Sequence, residues 1–360
     1  MYIFSRKEIQ IKEYDKKTVL TKHSGLLEIN EYSPLTIKGV QLSMAIARTT
    51  CNEYINYPEL YFDAIQSLLG LQFLINKKNN NLKLNEGRVK RLRDFSRTSK
   101  IGELAQAITW LYLEEKSNFP FSIDFELFCK NNSVKIPAKS KTPDFIAQDT
   151  TRSTNICIVE SKGKLANSTR SLKTKLKDGL DQCEVGETLI NANGVYKVVK
   201  KLSFCTELFL DNNVGDTTLH FVDPERSIEK SEFNSYIFRA HYASWFYIAG
   251  QFKNADQLIK GEHIEFAKTE FEEREINGEV YWIKSLNNII FNVLSENHFA
   301  KYYFCSIPFY KLEIGIANRI VEALQSQNIT EFDFSRRESS EETIFFRDGT
   351  IIMNKREKIM

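Results

Sequence analysis

The sequence has few residues of the kind that build zinc and redox sites. Its six cysteines are scattered between Cys51 and Cys305 without a CxxC pair, and its five histidines form no HExxH motif. Zinc sites and redox dithiols usually show such short spacings. The sequence therefore indicates neither kind of site, and we expect reduced thiols in a cytoplasmic protein.

A long apolar run is also missing. Charged residues begin at Arg6, and the longest apolar stretches, such as residues 68–75, are far shorter than a bilayer span of roughly 20 residues. The sequence thus predicts neither export nor membrane insertion. The apolar content is nevertheless 42%, with 26 Phe and 15 Tyr, which predicts a folded protein.

An excess of charge of either sign is missing as well. The 49 Lys and Arg nearly balance the 47 Asp and Glu, and the formal net charge is +2. This balance argues against a uniformly basic binder and against an acidic tail protein. The length of 360 residues allows two domains, or one domain with large additions.

The apolar periodicity predicts an α/β protein. Helical spacing appears at residues 41–76, 87–95 and 101–116, and then the pattern alternates between strand and helix. We predict a helix at 172–183 and strands at 7–14, 18–21, 26–31, 122–129, 142–148, 155–162, 202–210 and 218–222.

The C-terminal part predicts helices at 238–248 and 314–325, and tight hairpins at Asn277-Gly278 and Asp348-Gly349. No linker rich in Pro, Gly or Ser separates the parts, so the predicted boundaries are soft. The prediction has an N-terminal accessory region (1–98), a core (99–250) and a C-terminal α+β accessory region (251–360).

The most informative pattern is TPDF at residues 142–145, followed by VESKG at residues 159–163. As antiparallel strands, these segments pair residue 144 with 160, 146 with 158 and 148 with 156. Asp144 and Glu160 are then direct neighbours, and Lys162 shares the face of Glu160 because side chains alternate along a strand. The spacing therefore predicts two carboxylates and an ammonium group within a few ångströms.

This arrangement suits a metal-dependent hydrolase. Two adjacent carboxylates repel each other unless a positive charge lies between them. Mg²⁺ prefers oxygen ligands and keeps several waters, so Asp144, Glu160 and the backbone carbonyl of Ser161 form a partial shell open to a phosphate and a water. Lys162 beside that shell can orient or deprotonate the water and offset charge in the transition state. Together these groups predict a phosphodiester hydrolysis site.

These residues resemble the PD-(D/E)XK nuclease superfamily, which has the restriction-endonuclease-like fold. Pro143-Asp144 and Glu160-Ser161-Lys162 match its short signature, and Glu103 on the preceding helix matches its supporting acidic residue. The resemblance covers about residues 100–225, and the flanks match nothing in the family. It implies a central mixed sheet flanked by helices, with additions at both ends, and Mg²⁺-dependent cleavage of DNA, less often of RNA, for which Mn²⁺ can substitute.

The resemblance also implies a role for individual residues. Asp144 and Glu160 would ligate the metal, Glu103 would position the metal or the water, and Lys162 would be catalytic. Gln182, on the helix after the lysine strand, matches a glutamine of some exonuclease-type members. Proteins of this kind are frequent in prokaryotic restriction, anti-phage defence and mobile elements, which is the context that the resemblance implies. The other acidic residues nearby are interpreted as surface charges: Glu114, Glu115 and Asp124.

Basic residues flank the predicted site. Residues 77–100 carry a net charge of +7 and residues 130–177 a net charge of +8, so the rest of the chain carries −13. A polyanion passing the site would meet both stretches through phosphate contacts, which position a substrate without reading its sequence. The candidate nucleic-acid contacts are Arg88, Lys90, Arg91, Arg93, Lys164, Arg170, Lys173, Lys175 and Lys177.

The leading hypothesis is thus a Mg²⁺-dependent endo- or exonuclease that acts on DNA, with RNA left open. The alternative is a nucleic-acid-binding subunit that keeps the fold but needs a protein partner or does not cut. A homo-oligomer is compatible with both hypotheses. A paired-carboxylate glycosidase is disfavoured, because Lys162 and the basic flanks have no role in that chemistry.

Overall fold

The structure is a computed structural model that describes residues 5–50, 74–117, 119–149, 155–194, 196–223, 235–265, 270–286, 312–326, 339–340 and 342–354. The chain divides into two compact units, Met1–Glu53 with Asp63–Phe238 and Tyr54–Phe62 with Arg239–Met360. These units differ from the three regions drawn from the sequence, because most of region 1–98 lies in the same unit as most of region 99–250.

The first unit is an α/β structure with one mixed sheet. Its strands are β1 (Arg6–Tyr14), β2 (Glu28–Glu31), β3 (Leu35–Lys38), β4 (Phe121–Asp124), β5 (Phe145–Gln148), β6 (Asn155–Leu165), β7 (Lys197–Leu208) and β8 (Thr218–Val222). Its helices are α1 (Lys16–Leu20), α2 (Gly39–Thr50), α3 (Glu86–Val89), α4 (Asp94–Glu115), α5 (Phe125–Asn131) and α6 (Leu172–Asn193). Helix α7 (Ser235–Ile248) contains the division between the units.

The sheet of the first unit has the strand order β2-β1-β8-β7-β6-β5-β4, and β3 pairs with β1 off this path. Strand β6 is parallel to β7, and β1 is parallel to β8, whereas the other pairs are antiparallel. Strand β1 lies beside β8, so the N-terminal region contributes strands to the same sheet as the predicted core.

Two long helices cover β6 from opposite faces. A Cβ atom on Gly163 would lie 2.6 Å from the carbonyl oxygen of Ile101 in α4, and one on Gly179 of α6 would lie 2.2 Å from the Ser203 hydroxyl of β7. Glycine at these two positions allows both helices to approach the strands closely. Residues 156–159 of β6 are accordingly 0% exposed, which agrees with the apolar run in the sequence.

The second unit contains an antiparallel five-stranded sheet with the order β12-β13-β11-β10-β9. Its elements are α8 (Phe252–Lys260), β9 (Glu272–Ile276), β10 (Glu279–Ser285), β11 (Leu312–Ala317), α9 (Asn318–Ser326), β12 (Thr343–Phe345) and β13 (Thr350–Asn354). The hairpin at Asn277-Gly278 is confirmed, with φ values of 51° and 77° that suit a tight turn. The hairpin at Asp348-Gly349 is confirmed as well.

Three predicted segments cross a helix start that the apolar pattern did not show. Residues 18–20 belong to α1, because Asp15 caps this helix by accepting from the backbone N–H of Thr18 at 3.0 Å. Strand β4 ends at Asp124, whose carboxylate caps α5 by accepting from the Leu127 N–H at 2.7 Å. Residues 314–317 lie in β11, and the helix predicted at 314–325 starts only at Asn318.

The predicted helices at 101–116 and 172–183 are confirmed and are longer in the structure, as α4 and α6. The helix expected at 87–95 is reduced to the single turn α3, followed by the start of α4 at Asp94. The helical pattern over residues 51–73 lies outside the described residues. In the part of the chain that the structure describes, every helix is too short or too polar to cross a bilayer.

Candidate active site

The predicted pairing of β5 with β6 is confirmed residue by residue. Phe145 lies opposite Val159, and Ile146 lies opposite Ile158. Asp144 directly precedes β5, and its backbone N–H donates to Glu160 Oε2 at 3.0 Å. The sequence register therefore brings Asp144 next to Glu160, as expected.

The side chain of Asp144 bonds to β6 at the point where β5 begins. Its Oδ2 accepts from the backbone N–H of Ser161 at 2.8 Å. Ser161 lies just beyond the β6 residues that pair with β5. Its Oδ1 accepts from the side-chain amide of Gln106, on α4, at 2.9 Å. Both carboxylate oxygens of Asp144 are thus held by neutral N–H groups.

Glu160 and Lys162 also lie at this point, the junction where β5 begins beside β6. The Lys162 ammonium group donates to Glu160 Oε1 in an ion pair. Glu160 is only 1% exposed, and it lies next to Gly179 of α6, where a Cβ atom would be in ordinary contact with Glu160 Cγ at 3.4 Å. The predicted contact of two carboxylates and one ammonium group is therefore present.

The electrostatics of the two carboxyl groups are unfavourable for the ionised state. Burial raises the pKa of Glu160 to about 8, and the charge of Asp144 adds to the rise, while Lys162 opposes it. Burial also raises the pKa of Asp144, against the opposing effects of the Ser161 N–H, the Lys162 charge and the Gln106 amide. The pair therefore lacks enough positive charge to compensate both carboxylates.

The donor atoms fit a hard divalent cation. Asp144 and Glu160 supply carboxylate oxygens that are coupled through space, and Ser161 follows Glu160 directly with its carbonyl. Among the described residues, no group of three or more His, Cys, Asp or Glu side chains is placed to hold a metal ion. Mg²⁺ is usually bound by one or two carboxylates and completes its shell with water and substrate phosphate, so two carboxylates suit it.

Helix α4 reaches this junction through a residue that the sequence did not single out. Glu103 accepts from Ser99 Oγ at 3.0 Å and from the Lys100 ammonium group at 2.6 Å, both on its own helix. Gln106, one turn later, makes the bond to Asp144. The sequence feature that could have identified Gln106 is its spacing of three residues from Glu103, because this spacing places both side chains on one side of the helix.

The other acidic residues near the junction are less exposed than expected. Glu114 is 1% exposed, so its interpretation as a surface charge was wrong. Asp124 is the N-cap of α5, and burial raises its pKa to about 6, with the charges of Glu126 and Asp144 adding to the rise. Asp124 is therefore close enough to Asp144 for the charge of Asp144 to raise its pKa.

The first basic stretch is exposed. Arg88, Lys90, Arg91 and Arg93 lie in α3 and the turn after it, and Lys90 forms an ion pair with Glu86 at 2.7 Å. These side chains are accessible to a polyanion.

The second basic stretch is divided. Lys164 is 7% exposed and pairs with Glu207 at 2.5 Å, and Lys173 donates to the backbone oxygens of Thr21 and Ser24. These contacts hold both side chains within the protein. Arg170 and Lys177 are exposed.

Lys175 is close enough to Lys162 for their charges to interact. Burial lowers its pKa, and the positive charges of Arg170 and Lys162 lower it further. Lys175 is therefore partly buried beside the candidate catalytic lysine. Gln182, farther along α6, donates to the carbonyl oxygen of Asp178 at 3.2 Å, and within the described residues it makes no hydrogen bond to Asp144, Glu160 or Lys162.

Comparisons with protein-family models, with curated proteins and with solved structures found no match to this chain.

Proposed function

We propose that the chain is a Mg²⁺-dependent nuclease with a restriction-endonuclease-like core, and that DNA is its substrate. The observation that carries this proposal is the pair of coupled, mostly buried carboxylates, Asp144 and Glu160, with Lys162 in contact. Strongly perturbed carboxyl groups beside a lysine, at the point where β5 begins beside β6, are typical of a functional site.

Each residue of the carboxylate site has its own role in the proposed reaction. Asp144 and Glu160, with the carbonyl of Ser161, would hold Mg²⁺, and bound Mg²⁺ would polarise the phosphodiester and make its water more acidic. Lys162 leaves its ion pair with Glu160, then donates to a phosphate oxygen and orients the attacking water. The role of Glu103 in positioning the metal or the water stays a prediction of the resemblance, as does the role of Gln182.

The surface charge supports a polyanionic substrate. The exposed basic residues of the turn after α3 and of the start of α6 are expected to hold the phosphate backbone. Their contacts give affinity that depends on salt but no base specificity. The expected context in restriction, anti-phage defence or a mobile element follows from the resemblance.

The test is metal-dependent cleavage by the purified chain. We expect it to cut linear, supercoiled or single-stranded DNA with Mg²⁺ or Mn²⁺ and to be inactive with EDTA, and cleavage of RNA alone would contradict the choice of DNA as substrate. Asp144→Ala and Lys162→Ala are expected to lose about 1,000-fold in rate with an unchanged circular dichroism spectrum. Glu184→Gln is the matched control, since this α6 carboxylate is 56% exposed and pairs with Lys201 at 3.0 Å. Cleavage by Asp144→Ala and Lys162→Ala at the rate of Glu184→Gln and of the wild type would refute the proposal.

One feature favours the alternative of a partner-dependent subunit. Both oxygens of Glu160 are already held inside the protein, one by the Lys162 ammonium group and the other by the Asp144 N–H. A partner that moves Lys162 away would remove its charge from Glu160 and free Oε1 for a metal ion. Salt-sensitive DNA binding that survives Asp144→Ala, without cleavage in Mg²⁺ or Mn²⁺, would support this alternative.

A further inference from the structure

Helix α4 lies close enough to β6 for short polar side chains to span the gap. A Cβ atom on Gly163 would lie 2.6 Å from Ile101 O and 3.1 Å from Ala105 Cβ, so the approach depends on glycine at this position. Gln106 directly follows Ala105 on α4, and its Nε2 donates to Asp144 Oδ1 at 2.9 Å. The bond is partly buried and depends on the packing of the helix against the strand.

A second bond from α4 supports the same junction. The hydroxyl groups of Thr109 and Ser161 are 2.9 Å apart, and Thr109 is 0% exposed. Ser161 in turn donates its backbone N–H to Asp144 Oδ2 at 2.8 Å. Gln106 and Thr109, three residues apart on one side of α4, thus fix Asp144 directly and through its backbone partner.

We infer that Gln106 is the positioning residue of Asp144 and sets the affinity of this junction for a divalent cation. The inference rests on the proposed function. A carboxylate has about four lone-pair sites, and the two bonds to Asp144 fix the orientation of the group while leaving sites for a cation. Residues that orient a metal ligand in this way typically control metal affinity about 10- to 100-fold.

An amide is suited to this role because it donates without adding charge. A carboxylate at position 106 would place a third negative charge beside Asp144 and Glu160. The amide N–H instead holds Asp144 Oδ1 and leaves the junction with two carboxylates and Lys162. Gln106 therefore orients the ligand at no electrostatic cost to the pair.

The test is a Mn²⁺ titration of the full chain followed by electron paramagnetic resonance, in which free Mn²⁺ is measured directly. Gln106→Met keeps the length of the side chain and removes the donor, so we expect about 10-fold weaker Mn²⁺ binding. The melting temperature of the metal-free protein should stay within about 2 °C of the wild type, because Met fills the same space. Cleavage by Gln106→Met should recover at high Mn²⁺, whereas Asp144→Asn should not recover.

The control is Asp94→Asn, which removes a carboxylate from the first turn of the same helix, where the side chain is 91% exposed. It should bind Mn²⁺ like the wild type. Wild-type affinity in Gln106→Met, together with loss of binding in Asp144→Asn, would overturn the inference and leave the proposed function standing. A wild-type chain that binds no Mn²⁺ would overturn both.

Discussion

Two polar clusters lie on the same face of neighbouring strands in this protein, and their electrostatics are opposite. The carboxylate cluster consists of Asp144, Glu160 and Lys162, and the paired cluster consists of Lys164, Glu207, His220 and Tyr14. Glu160, Lys162 and Lys164 follow one another on β6 with the period of two that places them on one face. The parallel register then sets Glu207 of β7 opposite Lys164.

The paired cluster is balanced within the fold. Glu207 Oε1 lies 2.5 Å from the Lys164 ammonium group, and its Oε2 lies 3.5 Å from His220 Nε2. The Tyr14 hydroxyl is 3.1 Å from His220 Nδ1. The contact with His220, followed by that with Lys164, lowers the pKa of Glu207 to about 2. Folding therefore favours the ionised form of this glutamate.

Folding disfavours the ionised form of Glu160, although the residue lies on the adjacent strand and also contacts a lysine. Its pKa is raised to about 8, because it is more deeply buried and Asp144 adds a second negative charge. A carboxyl group whose ionised form is disfavoured by the fold is typical of a functional site, so this difference supports the proposal that the active site is the carboxylate cluster and not the paired cluster.

The largest loss of stability at pH 7 is expected from Glu207→Gln. This change leaves Lys164 buried without a counter-charge, and we expect a loss of about 2 kcal/mol, below the value for a fully buried pair because the Glu207 side chain is 20% exposed. Urea unfolding at pH 7 measures it. Metal-dependent cleavage by the folded variant should match the wild type. A cleavage defect at unchanged stability would mean that the two clusters are one functional site.

The pH dependence of stability should have opposite signs in the two clusters. Glu207, with its pKa lowered to about 2 from 4.5, stabilises the fold above pH 4.5, and this contribution is lost as the pH falls toward 2. Glu160, with its pKa raised from 4.5 to about 8, keeps a proton that the unfolded chain has lost, so its contribution falls as the pH rises between these values.

Denaturant unfolding of the two glutamine variants separates these contributions. From pH 5 to pH 8, Glu160→Gln should gain stability relative to the wild type, by at most about 1.4 kcal/mol per pH unit. The deficit of Glu207→Gln should instead shrink below pH 4.5. His220 belongs to the same cluster as Glu207, and burial lowers its pKa, so it also contributes to the pH dependence of the wild type. The difference between variant and wild type isolates the contribution of each glutamate. If the free energies of unfolding of both variants changed with pH in the same way, the two clusters would not differ in their electrostatics.

Much of this arrangement was predictable because it depends on local rules. Alternation along β6 and the acidic residue before β5 gave the register of Asp144 against Glu160, and the Asn277-Gly278 turn gave a hairpin. Two of the errors depend on a single cap, since Asp15 and Asp124 each start a helix inside a pattern that also suits a strand. The apolar pattern does not distinguish the two until the cap is known.

The remaining features depend on contacts between distant segments. The parallel pairing of β1 with β8 joins residues about 200 positions apart, and no local signal encodes it. The same holds for Gln106, since the sequence marks Glu103 as the acidic residue of the helix, whereas the packing of α4 on Gly163 decides which turn reaches Asp144. The burial of Lys164 likewise follows from the neighbouring strand and could not be seen in a basic run.

The smallest expected effect belongs to Glu160→Gln at pH 5. Glutamine resembles the protonated carboxyl group that the folded protein already favours at this pH, and it can still accept from the Asp144 N–H. We therefore expect the free energy of unfolding without metal to change by less than about 0.5 kcal/mol. The stabilisation by Mn²⁺ measured at pH 7.5 should be lost, because the variant lacks a ligand charge. A loss at pH 5 as large as that of Glu207→Gln at pH 7 would make Glu160 a structural residue like its neighbour.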